Sequence, residues 1–257
     1  MAVTAKTEDD IGYISLDRPP ANSYDRAFIE ELGDAIDQLA ADDDARVIVV
    51  RSTSERFFSA GADVKNFAES DADTNNEMVR LAHGVFDRFA AIDKLSIAAI
   101  NGHALGGGYE IALACDVRIA AEGRYRIGLP EVTLGLLPGT GGTQRLPRLI
   151  GRGKALLMMA TGASVTPDEA ERLGMVDRLV PADELADHVR EVATTIARGA
   201  PLAIAATKRA VHDGLDRPLD EGLELELRQL APLFASEDAK EGMTAFLEKR
   251  PPDYQGR

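Results

Sequence analysis

Short β-branched runs that alternate with amphipathic helical patterns constrain this chain more than any other feature. Arg46–Arg51 reads RVIVVR, apolar on successive residues. A strand apolar on both sides has to be covered on both faces. Ile11–Leu16 and Leu95–Ile100 (LSIAAI) are two further runs of this kind. Between the first two, Phe28, Ile29, Leu32, Ala35, Ile36 and Leu39 recur at helical spacing, and Met78, Leu81, Ala82, Val85, Phe86 and Phe89 do so before LSIAAI. Strands alternating with helices that each bury one stripe predict an α/β fold.

The character changes after about residue 150. Pro167-Asp168-Glu169 opens a helix with Thr166 as its N-cap, and Gly174 stops it. One last short strand is expected within residues 174–180, and from Pro181 onward the chain reads as helical. Leu219, Leu223, Leu227, Leu230 and Leu233 form a stripe there, expected as internal core, with a subunit contact as the alternative. The expected organisation is an α/β core over 1–190 and a C-terminal helical region over 191–257.

Charge and composition narrow the function. With 43 acidic against 29 basic side chains in 257 residues, the net charge of −14 sets the average surface against nucleic acid. Cys115 is the only cysteine, so an internal disulfide framework or a cysteine-cluster metal site is excluded. The longest uncharged stretch, Leu95–Tyr109, holds Asn101, His103 and four glycines. Spanning a bilayer takes roughly 18 or more apolar residues, so no membrane span is expected. The opening MAVTAKTEDDIGYISLDR has no apolar segment of the signal-peptide type. A soluble protein of the cytoplasm, or of a comparable reducing compartment, is the expectation. The histidines are scattered, and neither a G-x-x-x-x-G-K-[ST] phosphate loop nor a G-x-S-x-G elbow is present. No metal site is expected.

Three glycine-bearing segments remain. Phe57-Phe58-Ser59-Ala60-Gly61-Ala62-Asp63 follows RVIVVR, and Asn101-Gly102-His103-Ala104-Leu105-Gly106-Gly107-Gly108-Tyr109-Glu110 follows LSIAAI. Consecutive glycines let the backbone approach a ligand and turn its N–H groups outward. Two such loops at neighbouring strand exits can aim one N–H each at the same oxygen, as in an oxyanion hole. Glu110 follows the triple glycine, and Glu131 stands in Gly128-Leu129-Pro130-Glu131, before the irregular Leu137–Arg145 segment. Two carboxyls beside such a hole suit proton transfer at carbons next to a carbonyl. The plainer reading of each feature is a tight turn for the glycines and a surface or capping role for the acids.

The ordered set is more specific than any one of its members. Phe58-Ser59-Ala60-Gly61-Ala62-Asp63-Val64-Lys65, Asn101-Gly102-x-Ala104-Leu105-Gly106-Gly107-Gly108-x-Glu110, Cys115-Asp116, Pro130-Glu131 and Leu137-Pro138-Gly139-x-Gly141-Gly142-Thr143-Gln144-Arg145 resemble the crotonase superfamily, above all enoyl-CoA hydratases. The likeness covers essentially the whole chain and extends to Lys240–Arg250. It implies a spiral of repeated ββα units with a C-terminal helical trimerisation region, and trimers or dimers of trimers. It implies hydration of a 2-trans-enoyl-CoA to a 3-hydroxyacyl-CoA, as in fatty-acid β-oxidation or in amino-acid or aromatic degradation, with coenzyme A as part of the substrate and no separate cofactor. By the resemblance, the N–H groups of Ala62 and Gly107 hold the thioester oxygen, Glu110 activates water, and Glu131 protonates the α carbon. Gly139 borders the same pocket, Ala60 and Lys65 lie where the family contacts CoA, and Phe246 and Lys249 match positions that reach CoA from a neighbouring subunit.

Two stretches depart from the family pattern. Arg18-Pro19-Pro20-Ala21-Asn22-Ser23-Tyr24 stands where R-P-x-x-x-N-A-L is common; it is one residue shorter and lacks a basic residue often found there. Glu122–Glu131 carries one extra residue, and Pro130-Glu131 restores the register. The alternatives are a double-bond isomerase or another CoA-thioester enzyme of the superfamily and, from a different class, an RNA-binding or non-catalytic homologue. A serine-hydrolase reading has Ser59 and His103 available in type only.

Overall fold

Alternation within the buried strands decides how the layers stack in the computed structural model, which describes residues 1–257. Its elements run β1 (Val3–Glu8), β2 (Ile11–Leu16), α1 (Arg26–Ala41), β3 (Val47–Ser52), β4 (Phe57–Ser59), α2 (Val64–Glu69), α3 (Ala72–Ala91), β5 (Leu95–Ile100), β6 (His103–Leu105), α4 (Gly107–Ala114), β7 (Val117–Ala121) and β8 (Ile127–Gly128). A 3-10 turn over Glu131–Leu134 follows, then α5 (Gly142–Ile150), α6 (Arg152–Thr161), β9 (Ser164–Val165), α7 (Pro167–Leu173), β10 (Arg178–Val180), α8 (Leu185–Ala197), α9 (Pro201–Leu215), α10 (Leu219–Leu230), a second 3-10 turn (Ala231–Ala235) and α11 (Glu237–Glu248).

The main sheet has the order β1-β2-β3-β5-β7-β10, antiparallel between β1 and β2 and parallel elsewhere. Ile48 and Val50 of β3 join the core formed with α1, α3 and α4, whereas Val47 and Val49 join a second core under α8. This is the double covering that RVIVVR predicts. A helix cannot grip a bare sheet face without its own stripe, and α8 supplies Leu185, Val189, Ala193 and Ala197. The expected division at 190/191 falls inside this helix.

A small sheet, β4-β6-β8-β9, takes over where the long strands stop. β3, β5 and β7 are each followed by one of its short strands, so the ββα unit recurs. Ser59 of β4 pairs with Ala104 of β6, and Leu105 with Gly128 of β8. The segments leaving β4, β6 and β8 therefore emerge side by side. At Gly108 the backbones of two exits are packed together, because a Cβ there would stand 2.2 Å from the Ser59 carbonyl oxygen.

A buried charge cluster ties the C-terminal helices to the sheet. Lys208 of α9 donates to Asp116 at 2.9 Å and to the Lys94 carbonyl at 3.0 Å, and Ser96 donates its N–H and hydroxyl to the same Asp116 oxygen. His212 approaches the other Asp116 oxygen at 3.0 Å. Removing one partner of a buried pair strands the other, so Lys208→Met is expected to cost about 3–5 kcal/mol. The check is the urea midpoint at unchanged slope, and a loss below about 1 kcal/mol would contradict it.

The leucine stripe is not internal core within this chain. Leu219 is 78% exposed and Leu227 57%. The reason is that α10 packs on α9 through another face, with Gly222 against Gly214 and with Leu225 buried, which turns the stripe outward. No helix is long and apolar enough to cross a membrane.

Candidate active site

The exits of β4, β6 and β8 lie against one another. Gly61, with φ +84°, presses against the second exit: a Cβ there would stand 2.8 Å from the Leu105 carbonyl oxygen and 2.9 Å from the Gly107 nitrogen. That contact brings the next amide, that of Ala62, beside that of Gly107. The Ala62 N–H donates to no acceptor in the protein. Gly107 begins α4, whose Gly106 cap contributes no side chain, and first-turn N–H groups have no intrahelical partner. The helix starts at Gly107 because Gly106 takes φ +55° and its carbonyl accepts from the N–H groups of Tyr109 and Glu110. Two free N–H groups thus stand together, one reinforced by a helix N-terminus.

Each glutamate enters from its own side. Glu110, on α4, is 2% exposed and its carboxylate is fixed by the following irregular segment. Oε1 accepts from the N–H groups of Thr140 (2.8 Å) and Gly142 (2.7 Å), and Oε2 accepts from the Thr140 hydroxyl. Arg145 steadies that segment by donating to the Thr140 carbonyl at 3.0 Å. Glu131 opens the 3-10 turn after β8 and abuts the triple glycine: a Cβ at Gly106 would stand 3.1 Å from its Oε1. Both its oxygens are buried without a hydrogen-bond partner. Burial pushes the Glu131 carboxyl up to about 7, its own backbone N–H opposes this, and the charge of nearby Glu110 adds to the rise.

The remaining expected residues fall into two groups. Gly139 precedes Thr140 and faces Val79 of α3, and the Ala60 N–H is spent on the Ala21 carbonyl at 2.9 Å. Lys65 is exposed on α2 beside Glu69. Phe246 is 83% exposed on α11, which packs on the Ala231–Ala235 turn, and Lys249 caps that helix in the left-handed region. One chain therefore brings Ala62, Gly107, Glu110 and Glu131 together and leaves Phe246 and Lys249 on its surface. Ser59 and His103 make no nucleophilic pair. The Ser59 hydroxyl donates to the Asn22 carbonyl and accepts from the Gly61 N–H, while His103 Nδ1 accepts from the Arg126 N–H.

The sequence model of the enoyl-CoA hydratase/isomerase family matches residues 6–257. The chain belongs to this family. It is 37% identical over 249 residues to the short-chain-enoyl-CoA hydratase of Clostridium acetobutylicum, covering 96% of this chain and 95% of that one. It is 40% identical over 247 residues to the 2,3-dehydroadipyl-CoA hydratase of Escherichia coli K12, covering 95% and 94%. The crystal structure of an enoyl-CoA hydratase from Bacillus anthracis superposes with a TM-score of 0.97 at 37% identity, covering 100% of each chain. The mixed α/β architecture with its helical C-terminal region is thus that of the crotonase superfamily.

Within this family member, two site residues escape the sequence reading. Tyr24 is 4% exposed, and its hydroxyl meets Gly107: a Cβ there would stand 1.8 Å from it. Tyr24 also borders a cleft of about 400 Å³ between α1 and α2–α3, together with Phe67, Asn75 and Met78. Thr140 is the second, through its hydroxyl on Glu110. The available signal was that Tyr24 lies in a stretch departing from the family pattern.

Proposed function

We propose that the chain is an enoyl-CoA hydratase, a hydro-lyase that reversibly adds water to a 2-trans-enoyl-CoA. The observation that carries this is the pairing of unlike carboxyls beside two free amides: Glu110 held by three donors, Glu131 buried and unpartnered. The thioester oxygen lies between the N–H groups of Ala62 and Gly107. As a water oxygen bonds to the β carbon, the double-bond electrons move toward that thioester oxygen, where the two N–H groups stabilise the developing charge. Glu110 takes the water proton and Glu131 gives its proton to the α carbon. Exchange with solvent then resets both acids, and the net change is one water added. No step draws on a resident cofactor, since coenzyme A arrives with the substrate.

An isomerase needs one carboxylate only, and the fixed Glu110 favours hydration. Crotonyl-CoA supplied in ¹⁸O-labelled water is the test. Loss of enoyl-thioester absorbance with label at carbon 3 is expected, and an unlabelled product or no loss would overturn the reading.

The titration of Glu131 gives a sign. Hydration uses its protonated form, which is present below about 7 and lost above it. kcat/KM for hydration is therefore expected to fall about tenfold per pH unit above about 7, and kcat/KM for dehydration falls with it, because the overall reaction takes up no proton and its equilibrium constant does not change with pH. Initial rates at low substrate across the pH range check this, and a hydration profile that stays flat from pH 7 to 9 would contradict it.

We also propose a homotrimer, or a dimer of trimers, in the cytoplasm. The outward leucines of α10 and the exposed Phe246 support assembly, and in it Phe246 and Lys249 are the residues that reach a neighbour's CoA. The single unbridged cysteine, Cys115, fits a reducing compartment.

A further inference from the structure

The last helix, α11, is held to its own chain less by apolar burial than by hydrogen bonds. Of its residues only Asp238 and Ala245 are buried, while Met243, Phe246 and Leu247 are exposed. Residues 250–257 run back along the helix as a strap. Arg250 donates to both oxygens of Glu241, at 2.6 and 2.9 Å, and the Asp253 N–H donates to the same carboxylate at 2.9 Å. Asp238, 3% exposed, accepts the Gln255 N–H on one oxygen at 2.7 Å and the Gly256 N–H on the other at 2.9 Å. The Arg257 carbonyl accepts the first N–H groups of the helix, those of Glu237 and Asp238. Tyr254 lies against Gly242, where a Cβ would stand 2.9 Å from its hydroxyl, and Gly256, at φ +76°, passes Pro201 at the start of α9. Lys208 anchors α9 on Asp116, so the strap links α11 to the main sheet.

The strap begins one residue after Lys249. Lys249 ends α11 at φ +55°, in the left-handed region where helix ends favour glycine. A lysine kept in that conformation needs a backbone fixed by its surroundings. Its N–H donates to the Ala245 and Phe246 carbonyls, and the Arg250 N–H donates to the Ala245 carbonyl at 3.1 Å. The Arg250 guanidinium then reaches back to Glu241 and also meets Glu248 at 2.8 Å. We infer that the strap is a positioning element: through the Arg250–Glu241 and Asp238 bonds it fixes α11 and the left-handed turn, and so aims the Lys249 ammonium at the phosphates of a neighbouring subunit's CoA. CoA carries its phosphates on the nucleotide half, which is the part a lysine cation matches. A cation on a fixed backbone loses less freedom on binding than one on a frayed helix end. The inference rests on the reading of the chain as an enoyl-CoA hydratase that assembles.

The experiment compares crotonyl-CoA with crotonyl-pantetheine, which keeps the thioester and lacks the nucleotide. Ending the chain at Arg250 is expected to lower the ratio of kcat/KM for the CoA ester over the pantetheine ester about tenfold. Gly256→Val keeps every strap residue but one and makes the left-handed turn costly; it should lower the ratio about threefold, and it serves if the shortened chain does not fold. Lys249→Ala alone should lower the ratio as far as shortening does. In that background either strap change should move it less than about twofold, because the cation being positioned is gone. A strap that only stabilises the fold would lower turnover of both esters together, and an unmoved ratio overturns the inference. An undiminished effect in the Lys249→Ala background overturns it too. A wild type that turns over neither ester sinks the hydration reading instead. The strap is then judged by Kd values for butyryl-CoA and butyryl-pantetheine: shortening is expected to weaken the CoA ester about tenfold more than the pantetheine ester, and equal weakening would overturn it.

Discussion

Glu131→Gln is expected to lower kcat for crotonyl-CoA hydration by about 10³-fold while leaving KM within a few-fold. Glutamine fills the same space beside Gly106, so the packing against the triple-glycine exit persists. It has no proton to give at neutral pH, and general acid catalysis by a placed carboxyl is worth about 10²–10⁴-fold. Glu110→Gln is expected to act on the same scale. Its amide oxygen can still accept from Thr140 and Gly142, but the water loses its base. The two losses should not add in the double variant, because both acids serve one concerted step. Initial rates of enoyl-thioester disappearance measure this, and either single variant retaining a tenth of wild-type kcat would contradict the assignment.

The second large effect tests the backbone rather than a side chain. Ala62→Pro deletes the Ala62 N–H, which serves no hydrogen bond of the fold. The flanking bonds that pin this loop to Tyr24 use the Gly61 carbonyl and the Asp63 N–H, and both survive. Losing one oxyanion donor typically costs about 10²–10³ in kcat, so a fall of that size is expected, with the thermal midpoint within a few degrees of wild type. A fall below about fivefold in a folded variant would mean that this amide does not meet the thioester oxygen. Gly107→Ala is a poorer probe, because its Cβ would collide with the Tyr24 hydroxyl before any donor was lost.

Much of this arrangement is legible in the chain, and the gaps have physical causes. RVIVVR announces its two covered faces, and the structure divides its alternate residues between two cores. Thr166, Pro167 and Gly174 mark their helix through capping chemistry that is local, and α7 occupies 167–173 as those residues require. The glycine exits are legible because a backbone packed against backbone tolerates nothing larger, as Gly61 and Gly108 demonstrate. Tyr24 and Thr140 are not legible, since Thr140 meets Glu110 and Tyr24 meets Gly107 through contacts between distant segments that no local pattern encodes. The leucine stripe of α10 shows the same limit from the other side. Helical periodicity reveals that a face is apolar, yet it cannot tell whether this chain or another covers it.

A crystal structure with butyryl-CoA, whose saturated chain has no double bond to hydrate, tests the geometry most directly. The thioester oxygen is expected about 2.7–3.1 Å from the nitrogens of both Ala62 and Gly107, with the carboxyls of Glu110 and Glu131 on one side of the α and β carbons. A bound thioester whose oxygen points away from both amides, or whose chain passes between glutamates on opposite sides, would contradict the mechanism.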